Sequence, residues 1–147
     1  MPQIVFVDAE VDPENERLLD LGAVKPDRSA CRTGSPAGFS QFVSGADFVC
    51  GHNILSHDLN YIRDLLPRGG KTAVIDTLCL SPLLFPHKPY HALLKDDKLQ
   101  SEELNNPLND AVKAMDLFFD EVNAFEQLND SLKGIYYSLL YLIANAP

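Results

Sequence analysis

The short run Gln3 to Val7 (QIVFV) is apolar, rich in β-branched side chains, and leads directly into Asp8-Ala9-Glu10. A run of that length and composition is the pattern of a buried strand. Two acids at its end constrain the chain further. If the strand continues, alternation puts Asp8 and Glu10 on the same side. Two carboxylates there repel one another unless a cation lies between them.

The segments that follow supply partners for this strand. Asp12 to Glu16 (DPENE) is turn chemistry. Arg17 to Val24 reads as a second strand, paired with the first in a hairpin. Arg28 to Arg32 reads as a short third strand, and Ser35-Pro36 opens a helix through Val43. Asp47 to Gly51 (DFVCG) is expected to be a central strand. Asp58 to Leu66 has helical spacing and is stopped by Pro67-Arg68-Gly69-Gly70. Thr72 to Ile75 reads as a strand with Asp76 as a cap, and Thr77 to Leu84 as a short helix or turn.

Asn106 and Pro107 mark a strong helix start. Leu108, Ala111, Val112, Met115, Phe118, Phe119, Val122 and Phe125 then form one apolar stripe. A second long helix is expected from about Asp130 to Asn145, within the 129–147 segment. Its end, YYSLLYLIANAP, is apolar almost all round and calls for a partner surface, either another subunit or a further domain. Strands first, then strand and helix alternating, then two helices, predict a mixed sheet with helices on both faces.

A length of 147 residues suits a single domain, 1–147, and 46% apolar with 22% charged residues excludes a disordered chain. No apolar run approaches the roughly 20 residues needed to span a bilayer, so no membrane partner is expected. The start has neither the basic region nor the long apolar region of a secretory signal. Cys31, Cys50 and Cys79 lack metal or redox spacing. They read as reduced thiols, mostly buried, in a cytoplasmic protein.

The net charge of -9 argues at first against a nucleic-acid binder. The acidity is local, however. Residues 96–130 hold ten acids and two lysines, and the rest of the chain holds eleven acids and ten bases. The 96–130 segment is expected to face solvent or a neighbouring domain. Arg63, Arg68, Lys71, Lys88 and Lys95 give residues 63–95 a basic stretch suited to a phosphate backbone.

Asp58 and Asp110 complete a set of four carboxylates with Asp8 and Glu10. An Asp opening a helix, as Asp58 does, is ordinarily a cap. Periodicity places Asp110 off the apolar stripe, with Lys113, Leu117 and Glu121, as a solvated residue. Brought together, four such groups would make a hard oxygen site for Mg²⁺ or Mn²⁺. Such a site can hold two metals that activate water in phosphodiester hydrolysis. A small-molecule phosphohydrolase is less well supported, since no glycine loop that cradles phosphate is present.

Four segments stand in a telling order. They are IVFVDAEVDPENERLLDLGAVK, FVCGHNILSHDLNYI, Asp76-Thr77-Leu78 with LSPLLFP, and NNPLNDAVKAMDLF. Together they resemble the DEDD superfamily of 3′–5′ exonucleases, the group containing the proofreading subunit of bacterial DNA polymerase III and ribonuclease T. The resemblance covers residues 3 to about 125. It implies a ribonuclease-H-like α/β fold with a five-stranded mixed sheet flanked by helices. It also implies Asp8, Glu10, Asp58 and Asp110 as catalytic, metal-binding residues, with two Mg²⁺ or Mn²⁺ ions. Ala9, His52 and Asn53 would contact substrate. The implied reaction removes nucleotides from the 3′ end of single-stranded DNA or RNA, in DNA repair or replication.

Two departures qualify this. The subfamily resembled usually has a histidine general base five residues before the last aspartate, where this chain has Asn105. The other subfamily has a tyrosine four residues before it, where this chain has Asn106. An amide cannot take a proton near neutral pH, and a general base typically contributes about 10² to 10⁴-fold. His91 or His57 are the substitutes, if a loop brings either close. Val11 stands where a threonine is usual. The alternative is therefore a weak or inactive domain that binds nucleic acid or a partner protein. YHALLKDDKLQSEELNNPLNDA also resembles exonuclease-like domains placed ahead of RecQ-type DNA helicases, which implies a covalently linked helicase domain as a partner.

Overall fold

A computed structural model of the chain describes residues 1–68, 72–93 and 106–144. Outside them lie Gly69 and Gly70, Lys71, Lys95, the first part of the acidic segment, Asn105 and Asn145 to Pro147. The chain is α/β, with a five-stranded mixed sheet flanked by helices in a ribonuclease-H-like arrangement, as the resemblance implies. The strands are β1 (Ile4–Val11), β2 (Leu18–Val24), β3 (Ala30–Thr33), β4 (Phe48–Gly51) and β5 (Ala73–Asp76), in the order β3-β2-β1-β4-β5. β2 runs antiparallel to β1, and β3 antiparallel to β2. β4 lies parallel to β1, and β5 parallel to β4. β1 lies in the middle, and β4 is interior too, between β1 and β5, as expected of a central strand.

β1 does not end at Asp8. It continues through Asp8, Ala9 and Glu10 to Val11, with a register shift between Glu10 and Val11. Its alternation sorts the two layers. Val5, Val7 and Ala9 face α1 (Pro36–Val43) and α2 (Leu59–Ile62), packing with Phe39, Val43, Leu59 and Ile62. Phe6 faces the other way, toward Ala111 and Met115 of α4 (Pro107–Glu126). Asp8 and Glu10 follow Phe6 on that side. Helices thus cover both faces, as the order of elements predicts.

Caps fix the helix starts. Ser35 Oγ accepts the Gly38 N–H at 3.2 Å. Asn106 Oδ1 accepts from Leu108 N at 3.0 Å and Asn109 N at 3.4 Å, with Pro107 as the first helical residue. Asp76 caps α3 (Thr77–Leu84) through Leu78 N at 2.9 Å. The single helix expected over Asp58–Leu66 is instead α2 followed by a 3₁₀ turn at Arg63–Leu65. Leu66 precedes Pro67 and is extended, at φ -76° and ψ 159°, which is the conformation proline imposes on its predecessor.

α5 (Asp130–Ala144) follows, and the Tyr136 hydroxyl donates to Leu83 O at 3.1 Å. Among the described residues no helix is long and apolar enough to cross a membrane. Three further expectations need correction. Of the three free thiols only Cys50 is buried, Cys31 being intermediate and Cys79 exposed. In the α4 stripe, Phe119 and Val122 are exposed. Glu121, expected in solvent, is 0% exposed and pushed up to about 8 by burial, with the Asp76 carboxylate adding to the effect.

Candidate metal centre

The four carboxylates reach one place from three parts of the chain. Asp8 and Glu10 project from the same face at the end of the central strand. Asp110 comes from the first turn of α4, held there by the Asn106–Pro107 start. One carboxylate oxygen from each of Asp8, Glu10 and Asp110 lies within 4.8 Å of the other two. Asp58 enters from the segment after β4 and is 2% exposed. Its Oδ1 accepts the Ala9 N–H at 2.8 Å, so it grips β1 at the residue between Asp8 and Glu10. Asp58 is already helical in backbone and makes no cap bond, so the capping role ordinary for such a residue does not apply here. All four acids line a single cavity of about 430 Å³, together with Ala9, His52, Asn53 and His57.

Electrostatics show what this costs without a cation. Burial first, then the charges of Asp58, Asp110 and Glu10 and a hydrogen bond with Asp58, push the Asp8 carboxyl up to about 9. Burial also raises Asp58, opposed by the Ala9 N–H and by His57. Metal-free, the cluster relieves its repulsion by holding protons. A hard divalent cation would relieve it as well, and carboxylate oxygens at this separation suit Mg²⁺ or Mn²⁺. The residues present therefore fit the metals that the resemblance implies.

The histidines separate clearly. His57 lines the cavity, with Nδ1 3.7 Å from Asp58 Oδ2 and a half-exposed ring. His52 also lines it, and its Nδ1 is 2.8 Å from Thr77 Oγ1. Burial lowers the His52 pKa, while Asp76 and a backbone hydrogen bond with His91 act the other way. His91 does not line this cavity. It is tied to Ser81 Oγ at 2.8 Å and lines a neighbouring one, so its role as substitute base is not supported. Asn106 is committed to capping α4, and Asn105 lies outside the described residues. Val11, partly buried, follows the register shift that ends the strand's regular pairing.

Sequence reasoning took Asp76 for a helix cap and missed its larger role. It is 5% exposed and accepts Asn53 N at 2.8 Å and Leu55 N at 3.1 Å as well as Leu78 N. Asn53 is left-handed, with φ 61°, which asparagine tolerates better than most residues. Asp76 and Thr77 together hold the 52–55 loop that presents His52 and Asn53 to the cavity. Asp76→Ala leaves three N–H groups without this acceptor and is expected to destabilise the fold by about 2–3 kcal/mol. Chemical denaturation should show a lower midpoint with an unchanged slope. A change below about 0.5 kcal/mol would argue against the clamp. Leu78, Ala92 and Leu93 also line the cavity, and no local pattern marks them.

No family model, curated protein or solved structure matches this chain.

Proposed function

We propose that the protein is a metal-dependent nuclease that removes nucleotides from the 3′ end of single-stranded nucleic acid. The observation that carries this is the convergence of Asp8, Glu10 and Asp110 within 4.8 Å, with Asp58 in the same cavity. The 3′ polarity rests on the sequence resemblance. Held by these four residues, two Mg²⁺ or Mn²⁺ ions would supply an activated water and charge stabilisation for the leaving oxygen. Asp58 does double work, fixing the strand through Ala9 N–H while offering its second oxygen beside His57. His57 stands in the cavity wall and is the described residue best placed to take a proton from the attacking water. His52 and Asn53, held by the Asp76–Thr77 clamp, would orient the terminal nucleotide.

The test is a 5′-labelled single strand incubated with protein and Mn²⁺. It should shorten progressively from its 3′ end. His57→Ala should slow this about 10² to 10⁴-fold if His57 is the base. A second reading, a domain that binds strands without cutting, is favoured by the commitment of Asn106 to a cap. Strand retention with no shortening in either metal would establish that reading and overturn the first.

A further inference from the structure

A cavity of about 240 Å³ lies apart from the carboxylate cluster and shares no lining residue with the candidate metal centre. Leu80 and Leu84 line it from α3, Phe118, Val122 and Phe125 from α4, and Leu140 from α5. Val122 and Leu140 are exposed, so their side of the cavity meets solvent. Tyr136 is also in the wall, and its hydroxyl is already committed to Leu83 O at 3.1 Å.

Among these apolar side chains stands one acid. Glu121 is 0% exposed, and neither of its carboxylate oxygens has a hydrogen-bond partner. Buried polar groups are ordinarily paired, and an unpaired one is costly. Phe118, Glu121, Val122 and Phe125 follow helical spacing along one side of α4, so a leucine or methionine at position 121 would continue the stripe without that cost. The position carries a carboxyl where packing alone favours a hydrocarbon. A concave apolar site with one placed polar group is the usual form of a small-ligand pocket.

The surroundings set the charge of the missing partner. The carboxylates of Asp76 and Asp120 act on Glu121 in the same sense as burial, and Lys88 acts against them. Lys88 does not line this cavity, and its ammonium rests 4.2 Å from the centroid of the Phe85 ring. An anionic ligand would be repelled here, and an alcohol could donate only one hydrogen bond. A primary ammonium carries three donors and can serve both oxygens. The rings of Phe118 and Phe125 in the wall add attraction for a cation. Glu121 is already desolvated in the folded protein, so only the ligand's own dehydration opposes the pair. An apolar cavity of about 150 Å³ takes up benzene, so this one has room for a chain of several carbons.

We infer that this cavity binds a small primary ammonium with an apolar tail, the ammonium bonded to Glu121 and the tail lying among Leu80, Leu84, Phe118 and Phe125. The site is separate from the carboxylate cluster and does not depend on the nuclease reading.

The test is isothermal titration of the full chain with n-hexylammonium, 1-hexanol and hexanoate, three probes of matched length. The parent should bind hexylammonium about tenfold or more tightly than hexanol, the size expected of a charge-assisted hydrogen bond. Hexanoate should bind more weakly than either. Glu121→Gln should bring hexylammonium down to the level of hexanol and leave hexanol unchanged, which separates this site from the other acids of a chain with net charge -9. Leu140→Trp, which fills the open side, should exclude all three probes, and it decides the matter if Glu121→Gln does not fold. Equal binding of ammonium and alcohol by the parent, or a preference that survives Glu121→Gln, overturns the inference. If no probe binds and the parent sediments as a dimer, a second copy covers the cavity. If no probe binds a monomer, Glu121 is an unfilled fault in the core. Either result overturns the ligand site.

Discussion

Asp8→Asn is expected to make the metal-free protein more stable and the metal-bound protein inert. The two effects have one cause. In the folded chain Asp8 is raised from its ordinary 3.8 to about 9, chiefly by burial and then by three neighbouring carboxylates. The folded state therefore holds a proton that the unfolded chain has released between about pH 4 and pH 9. Stability contributed by protonated Asp8 is present below that window and is lost as pH rises through it. Asparagine resembles the protonated acid in shape and does not titrate. At pH 8 the variant should melt about 5–10 °C above the parent without metal, corresponding to about 2 kcal/mol. The difference should vanish near pH 4. Mn²⁺ should raise the parent's melting temperature and leave the variant's nearly unchanged. Hydrolysis should fall by about 10³-fold or more, since a misheld metal loses several kcal/mol of transition-state stabilisation. Calorimetry with and without Mn²⁺ at pH 4 and pH 8 checks both halves. A variant less stable than its parent at pH 8 without metal would contradict the repulsion argued for this cluster.

How much of this site can be read in the sequence depends on the reach of each signal. Asp8 and Glu10 are legible because they follow a buried strand and alternation is local. The starts of α1 and α4 are legible because Ser35-Pro36 and Asn106-Pro107 carry their own capping chemistry. Asp110 is not legible by periodicity, and neither is Glu121. The two are eleven residues apart, about three helical turns, so they share one line along α4. A wheel that marks only apolar residues assigns that line to solvent. In the folded chain one end of it meets the tip of β1 and the other is buried. Asp110 is brought to the acidic end of β1, whereas Glu121 is buried among apolar side chains with no hydrogen-bond partner for its carboxylate, and only the tertiary arrangement reveals either placement. Asp76 is similar. A cap bond spans two residues and can be guessed, whereas its bonds to Asn53 and Leu55 depend on β4 and β5 lying side by side, with Gly51 opposite Asp76.

The close approach of α4 to the sheet requires glycine at position 22, and replacing it should damage the fold and the candidate metal centre together. Gly22 on β2 lies opposite Asp8 on β1. A Cβ at this position would sit 2.3 Å from Pro107 C and from Leu108 N, and 2.5 Å from Pro107 O. These are backbone atoms of the first turn of α4, so no side-chain rotation relieves the clash. Gly22→Ala must push the start of the helix outward by about 1 Å or more to restore van der Waals separation. That motion carries Asp110 away from Asp8 and Glu10 and opens the packing of Ala111 and Met115 on Phe6. Overpacking of a rigid contact typically costs about 1–3 kcal/mol, and here the metal centre should be lost as well. Gly134→Ala is the control, because a Cβ there meets nothing within 4 Å and the residue lies inside α5. It should raise stability by up to about 1 kcal/mol through helix propensity. Parallel denaturation of the two variants, each with and without Mn²⁺, separates the effects. Gly22→Ala should unfold at lower denaturant and gain little from Mn²⁺, and Gly134→Ala should gain as much as the parent. Full Mn²⁺ stabilisation in Gly22→Ala would mean that Asp110 reaches the metal by some other route than the close contact between β2 and α4.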